Sequence, residues 1–567
     1  MRESSLVTSA ATPNDAIPTK MTPSDPPHSK PRAPTAQRWL QGSLAFAVCC
    51  FGWWRFSDNT VDNDLWGHVL YGQRYWLDGE VRGLEMFSWT AFGRPIVNHE
   101  YLAELAMGWI HRVGGGSGLW LYMMAMAFVT VLIAFRASRT SEGMRTHGWA
   151  SWVLLAASTN FIALGFAVRP QLFTTLGLVI ELVLLRRIVN GKFRWALALP
   201  PLVALWGNAH GGVLAGVLII FLMAGVESLR KFWPRLEEGS ASATQPDRQR
   251  LMLYWSLALV AALALLLNPW GTGMVEWNVG AVLRPRPQIH EWQPTAFSAA
   301  NAPFYLVSVV SLLAWGFSRQ PRKAWEGATL LFLGVMGALH QRHAPLFGLA
   351  NLMFTPIHLA DAARRLAPSC RSLLTTFSRP VVQVRTAIVL LSAGVACLIA
   401  SFAAPKERPF TLEVERYVYP VTAVEFIQAN QLFGKTITFF DWGQQNIWEL
   451  PHNPVSFDGR FDTGYPQPVI AAHWDFYSGQ AMSAEVKWND ADLALLPTDG
   501  GGMRLLVAAG WRIVYRDPLA TVLVRSNGKY GSFRSVEGPL LRGADALEGR
   551  KAFPDSQPLL ATEAASR

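Results

Sequence analysis

Apolar stretches close to the thickness of a bilayer's hydrocarbon core recur along this chain between residues 40 and 404, for example at 251–267 and 387–404. A helix needs about 18–20 apolar residues to cross, and in lipid its backbone polar groups must be satisfied within the segment. The fold class that follows is an α-helical polytopic membrane protein. Hydropathy places about eleven spans, at 39–56, 117–136, 149–168, 171–190, 195–209, 211–229, 251–268, 303–317, 325–340, 345–361 and 386–404. A composition that is 51% hydrophobic with 24 tryptophans agrees with this class and disfavours a single soluble domain.

The net charge of +10 does not point to nucleic acid, because the basic residues concentrate in short segments between apolar runs. "RASRTSEGMRTHG", "RRIVNGKFR" and the segment 364–385 carry them, which sets these loops and the N-terminus on the cytoplasmic side of the inner membrane. Residues 1–37, rich in Pro, Ser and Thr, read as a disordered cytoplasmic tail. "WLQGSLAFAVCCFGWWRF" then reads as an uncleaved signal-anchor. The cysteines at 49, 50, 370 and 397 have neither zinc-site nor disulfide-framework spacing.

With that orientation, the unusual polar residues sort onto the outer face: Asp62, Asp64, His68, His99, Glu100, Arg169, His210, Glu291, Arg342 and His343. Ionisable groups at the ends of packed spans are costly unless they line a wet cavity, so one outward-facing site is expected. In "DNDLWGHVLYGQRYW" the aromatics suit an interfacial helix lying on the outer surface, and Asp64 and His68, four apart, share its face. Two carboxylates one residue apart can take a proton from an attacking hydroxyl, orient a sugar or bind a divalent cation such as Mg or Mn. Capping of the helix by Asp62 is the plainer alternative. "NHEYLAELAMGWIHRV" opens a juxtamembrane helix too short to span alone. There Glu100 is either a site residue or a partner of the helix dipole. Arg169 in "AVRPQLF", His210 in "NAHGG", and Arg342 with His343 in "HQRH" supply donors for a phosphate, or anchor the interface. The loop 268–302, with Glu291, is a lid or a belt of interfacial aromatics.

From residue 405 to 535 the apolar runs shorten to strand length, as in "KTITFFDW", "PVSFDG", "LALLP", "WRIVYRD" and "ATVLVRS", alternating with helical "AVEFIQANQLF" and "MRLLVAAG". This predicts a small extracytoplasmic α/β domain followed by a flexible tail at 536–567, with the membrane domain at 38–404 and its outer loop at 57–116. "FDWGQQNIWELPHNPVSFDGRFDTGY" gathers Asp441, Trp442, Asp458 and Arg460 near strand ends, where binding residues collect; turn chemistry alone explains "FDGR" equally well.

The order of first span, acidic outer loop "DNDLWGHV", helix opening "NHEYLAE" and outward-facing bundle resembles the GT-C superfamily of membrane glycosyltransferases. That superfamily includes protein mannosyltransferases, aminoarabinose transferases of lipid A and oligosaccharyltransferases. "FFDWGQQ" followed by "PVSFDGRFD" is similar to the Trp-Asp-Gly region of oligosaccharyltransferases, with Asp441 and Gly443 at matching positions and Trp442 standing between them. Bacterial multi-pass proteins carrying "RPQLF", "HGG", "NPWG" and "EWQP" resemble most of residues 40–530. The resemblance implies transfer of sugar from a polyprenyl-phosphate donor to a glycan, lipid or protein acceptor. Asp62 or Asp64 would then be base or metal ligand. His68, His99, Glu100, Arg169, His210, Glu291, Arg342 and His343 would bind substrate, with Arg169, His210, Arg342 and His343 on the departing phosphate, and Asp441, Trp442, Asp458 and Arg460 would bind the acceptor. A transporter or lipid flippase, and a non-catalytic assembly factor for cell-surface polysaccharide, are the rival functions.

Overall fold

The computed structural model describes residues 35–81, 83–139, 148–232, 247–366, 379–403, 406–533 and 540–555. The expected disordered tail lies outside these residues except for its last three, which already belong to the first helix. Fourteen helices precede the C-terminal unit among the described residues. They are α1 (Thr35–Phe56), α2 (Leu65–Asp78), α3 (Tyr101–Ser138), α4 (Trp149–Ala163), α5 (Gln171–Val189), α6 (Leu199–Gly207), α7 (Val213–Phe232), α8 (Arg248–Ala264), α9 (Thr272–Leu283), α10 (Ala302–Phe317), α11 (Ala324–Leu339), α12 (Ala344–Phe354), α13 (Pro356–Leu366) and α14 (Pro380–Ala403).

All eleven apolar segments are helical. Three helices, Tyr101–Ser138, Val213–Arg230 and Pro380–Ala403, are long and apolar enough to cross a membrane by length and composition. Two further apolar stretches are interrupted by proline. Pro200 and Pro201 start α6 late, after a 3-10 turn at Phe193–Ala198. Pro356, which lacks an N–H, divides 344–366 into α12 and α13. Leu121, Phe128, Leu205, Leu259, Leu312 and Ile399 face outward and are mostly exposed. Apolar exposure spread over so many helices suits lipid contact and would be a liability in water.

The juxtamembrane helix and the second span form one element, α3, kinked at Gly115, whose φ of 55° lies in the left-handed region that a side chain would disfavour. Expected to lie on the outer surface, α2 is instead buried between α3 and the C-terminal unit. Leu65, Trp66, Val69 and Leu70 are almost fully enclosed, and only Trp76 is largely exposed. The contact with α3 is backbone-close: a Cβ at Gly72 would collide with the Glu104 carbonyl, so this helix pair requires glycine there.

At the end of the bundle where α1 finishes and α2 begins sits a sheet of five strands in the order β2-β3-β5-β4-β6. Its strands are β2 (Thr436–Thr438), β3 (Leu493–Pro497), β4 (Trp511–Arg516), β5 (Ala520–Arg525) and β6 (Leu540–Leu541). β3–β5 and β5–β4 pair antiparallel, β2–β3 and β4–β6 parallel. Phe457, Phe476, Trp488 and Leu506 fill one face. "PVSFDG" contributes bridges at Val455, to Ser88 and Thr436, and no full strand. The flexible tail expected from 536 is corrected over 540–555. There β7 (Arg550–Ala552) pairs antiparallel with β1 (Glu413–Glu415), and Phe553 packs against Trp66, His111 and Trp448.

Candidate active site

A cavity of about 1220 Å³ opens between the bundle and the C-terminal unit. One flank is apolar, with Leu214, Leu218, Phe332, Met336 and Leu346; the rest is polar. Asp64, His68, His99, Glu100, Arg169, His210, Glu291, Arg342, His343, Asp441 and Arg460 all line it, so most residues expected at one site do share one cavity.

The opening acidic loop is organised around Arg169. Its guanidinium reaches Asp62 Oδ1 at 2.5 Å, Asp64 Oδ2 at 3.2 Å and Glu291 Oε2 at 3.1 Å, and donates to Asn63 Oδ1 at 3.0 Å. Asp62 Oδ1 also accepts the Asp64 N–H at 3.0 Å, an Asx turn just before α2; Asp64 itself is the N-cap residue and no side chain caps the helix, so Asp62 is not the cap expected from sequence. Asp64 lines the cavity and is held up at about 6 by burial, against the pull of Arg169. Asn63 donates to Asp441 Oδ1 at 3.1 Å, and Gln444 to Asp64 Oδ1 at 3.4 Å, tying the C-terminal unit to this loop.

One turn along α2, His68 Nδ1 meets Glu104 Oε1 at 3.0 Å. Burial would lower this imidazole, but the Glu104 hydrogen bond and the charges of Glu100, Glu104 and Asp64 raise it to about 9. Glu100 lies 3.5 Å from His99 Nε2 and 3.6 Å from His210 Nε2. His99 stacks on Trp277 at 3.8 Å. His210 Nδ1 accepts the Gly212 N–H at 3.0 Å, so its proton sits on Nε2, facing Glu100. Burial, reinforced by neighbouring cations, lowers His99 and His343 to about 3, and it lowers His210 as well. The histidines expected as cationic donors are therefore neutral N–H donors at pH 7. Arg342, paired with Glu291 Oε1 at 3.0 Å and lying over Trp292, is the charged group among them.

The C-terminal candidates divide. Asp441 and Arg460 border the cavity, whereas Trp442 and Asp458 are buried away from it. Trp442 Nε1 donates to the Val418 carbonyl at 3.1 Å. Asp458 and Glu85 together clamp Arg460, whose guanidinium is sheathed by Tyr71, Phe87 and Tyr465. Trp442 and Asp458 are thus packing and pairing residues rather than acceptor contacts, because their polar atoms are already spent inside the unit. Glu104, Asn98, Gln444 and Arg286 were not singled out from sequence as site residues. Glu104 had a signal, since it stands four residues after Glu100 on an apolar helix and so shares its face. His68, Glu100 and Glu104 form a group whose ligand atoms lie within 4.8 Å of one another, the arrangement among the described residues that suits a metal ion.

No protein-family model and no curated protein matches the sequence. Solved structures do. The Archaeoglobus fulgidus oligosaccharyltransferase AglB, in complex with an inhibitory peptide and a dolichol-phosphate, is 11% identical, with 81% of this chain and 69% of that chain covered and a TM-score of 0.48. ArnT from Cupriavidus metallidurans bound to undecaprenyl phosphate is 15% identical, covering 86% and 98%, with a TM-score of 0.42. Its apo state is 12% identical over the same shares, with a TM-score of 0.44. These structural neighbours are GT-C enzymes. At such identities and TM-scores the likeness carries no argument about the chemistry, which is argued from the cavity.

Proposed function

We propose that this protein is a GT-C-type glycosyltransferase that moves a sugar from a polyprenyl-phosphate donor to an acceptor at the outer face of the cytoplasmic membrane. The observation that carries the reading is the cavity itself, with an apolar flank level with the bundle, a carboxylate edge at Asp64 and a donor edge at Arg342, His210 and His343. An isoprenoid chain fits the first, and a phosphate fits the last.

In the step proposed, an acceptor oxygen attacks the anomeric carbon, the bond from that carbon to the phosphate oxygen breaks, and its electron pair leaves with the phosphate. Asp64 takes the acceptor's proton, while Arg342 and the neutral N–H groups of His210 and His343 meet the charge growing on the phosphate. Asp62 acts through Arg169, which it holds in place. Asp441, which accepts from Asn63 beside the acidic loop, would meet a glycan, lipid or protein acceptor, and Arg460, clamped between Glu85 and Asp458, would hold the wall next to it in place.

The same reading assigns 38–404 to a multi-pass membrane domain, 405–535 to an extracytoplasmic α/β domain and the N-terminus to the cytoplasm. It rests on the basic loops, and nucleic acid has no place in it. A transporter or flippase would need ionisable groups along a path through the bundle. Glu181 of α5 is fully buried with both carboxylate oxygens unpartnered, which favours such a function, but it does not line the cavity. An assembly factor would not need the acidic and cationic edges at all.

The test is transfer of labelled sugar from polyprenyl-phosphate donors by purified wild type, Asp64→Asn and Arg342→Ala. Each substitution is expected to reduce the rate by roughly 10²-fold or more. Robust wild-type transfer left intact by both would refute Asp64 as the base and Arg342 as the phosphate's partner.

A further inference from the structure

A second cavity, of about 450 Å³, shares no wall residue with the first. Its walls come from the end of α1 with the segment that follows, from the end of α4, and from the C-terminal unit. Trp54 of α1 and Leu164 just beyond α4 both line it and remain exposed, so the cavity reaches the apolar outer surface of the bundle. A tryptophan near the end of an apolar helix is a common occupant of the lipid headgroup layer.

Arg55, Lys406 and Arg550 line this cavity. Arg550 is already matched, by Glu413 and Glu415. The other two are not. Lys406 Nζ donates to the Ser57 carbonyl at 2.6 Å, a neutral partner. Arg55 Nε is buried without a hydrogen-bond partner, and its guanidinium lies 5.8 Å from the centre of the Trp54 ring. Among the described residues neither forms an ion pair with a carboxylate. Asp58, the exposed carboxylate on this wall, accepts the Thr60 N–H through Oδ1 at 3.0 Å. Burial lowers the Lys406 ammonium from its usual value more than Asp58 and Glu413 raise it, and Arg550 adds to the lowering. The helix dipole explains a basic residue in the last turn of α1, but not one that faces a cavity with its Nε unmatched. What these two cations lack is an anion.

We propose that this cavity binds the headgroup phosphate of an anionic phospholipid from the surrounding leaflet, with Arg55 and Lys406 on the phosphate oxygens and the acyl chains leaving past Trp54 and Leu164. A guanidinium presents a fork of donors that matches two phosphate oxygens, and an ammonium adds a point charge beside it. The volume lies within the range of roughly 300–1,000 Å³ typical of small-molecule sites, enough for a headgroup and not for its chains. A free phosphate offers the same oxygens, but the exposed apolar edge favours one that carries a lipid. Arg55 belongs to the bundle and Lys406 follows its last helix into the C-terminal unit, so one phosphate held by both would fasten the two parts together. The site needs only a bilayer at the ends of α1 and α4, and it stands whether or not the protein transfers sugar.

Full-length protein in neutral detergent is titrated with phosphatidylglycerol, phosphatidylcholine and inorganic phosphate, with the melting temperature followed and retained lipid counted by native mass spectrometry. Phosphatidylglycerol should raise the melting temperature saturably, because a ligand of the folded state stabilises it. Phosphatidylcholine, whose choline brings a cation to a cationic wall, should bind roughly fivefold or more weakly. Arg55→Gln and Lys406→Gln should each weaken phosphatidylglycerol by roughly tenfold. Lys487→Gln, which removes the same charge from an exposed position outside the cavity, should leave it unchanged. Lys406→Gln also breaks the bond to Ser57, so Arg55→Gln decides if the Lys406 variant misfolds. Inorganic phosphate at equal concentration should not displace the lipid. Equal binding of the two lipids, or a phosphatidylglycerol titration unchanged by Arg55→Gln, would overturn the phosphate site; displacement by equimolar inorganic phosphate would overturn a lipid as its occupant.

Discussion

Replacing Arg460 by Met should loosen the outer loop before it affects anything else. Arg460 is almost buried and neutralises two carboxylates with no exposure of their own, Glu85 and Asp458. Glu85 Oε1 also accepts the N–H groups of Phe87 and Ser88, each at 2.7 Å, so the charge of Arg460 reaches the backbone of the loop through Glu85. Asp458 Oδ2 is held by Arg460 at 2.5 Å and by the Tyr465 hydroxyl at 2.6 Å. Methionine preserves much of the stem's packing against Tyr71 and Phe87 but leaves two buried anions facing each other. Removing one partner of a buried pair costs about 3–5 kcal/mol. Because a protein of this size does not unfold in two states, the loss is best read locally. At about 1.4 kcal/mol per factor of ten, amide exchange over 85–94 should accelerate by roughly a hundredfold to several thousandfold in the detergent-solubilised protein. Adding Glu85→Gln and Asp458→Asn to the Met variant should recover most of the protection, since the stranded charges are then gone. Acceleration of less than about tenfold, or a triple variant as open as the single one, would show that the ion triad does not hold this loop.

Because burial holds Asp64 at about 6 and a base must be ionised to accept a proton, kcat/KM should be level above roughly pH 7 and fall about tenfold per unit below the pKa. A profile that rises as pH drops through this window would exclude Asp64 as the base. Phe553→Ala should cost about 3–5 kcal/mol of local stability and render 540–555 sensitive to protease at concentrations that spare wild type. Gly72→Leu should lower the melting temperature and the yield of folded protein, because the added side chain meets the Glu104 carbonyl; Trp76→Ala, at an exposed position of the same helix, is the control.

Most of the membrane part was legible because its code is one-dimensional. Apolar length located the helical segments, but Pro356 divides the stretch 345–361 into two helices and the juxtamembrane helix runs on into the stretch 117–136 as one element. Much of the membership of the cavity was legible too: of the ten polar residues that loop charge led us to group, all but Asp62 line it. What sequence did not give is who pairs with whom. Arg169 was read as a phosphate clamp, yet its position brings it against three carboxylates from two distant loops, and no spacing rule encodes that. His210 and His343 were read as cationic donors for a phosphate, but burial beside Arg342 keeps them neutral. Trp442 and Asp458 stood in an attractive motif and proved internal, because a short motif does not reveal which of its side chains the fold turns inward. The burial of α2 escaped for the same reason: its aromatics suit a lipid interface and a protein interior equally well.

The packing around Phe553 gives the molecule an order of completion. The bed beneath α2 is assembled from Trp66, His111, Tyr419, Trp448 and Phe553, and the Pro554 carbonyl lies 2.9 Å from His111 Nε2. These pieces leave the ribosome far apart in time, and the last follows every membrane helix. Until it arrives, the helix that carries His68 and follows directly on Asp64 lacks one wall. A half-made chain therefore has its cavity residues in hand without a finished surface on which to hold them, and the cavity is completed only as β7 closes against β1.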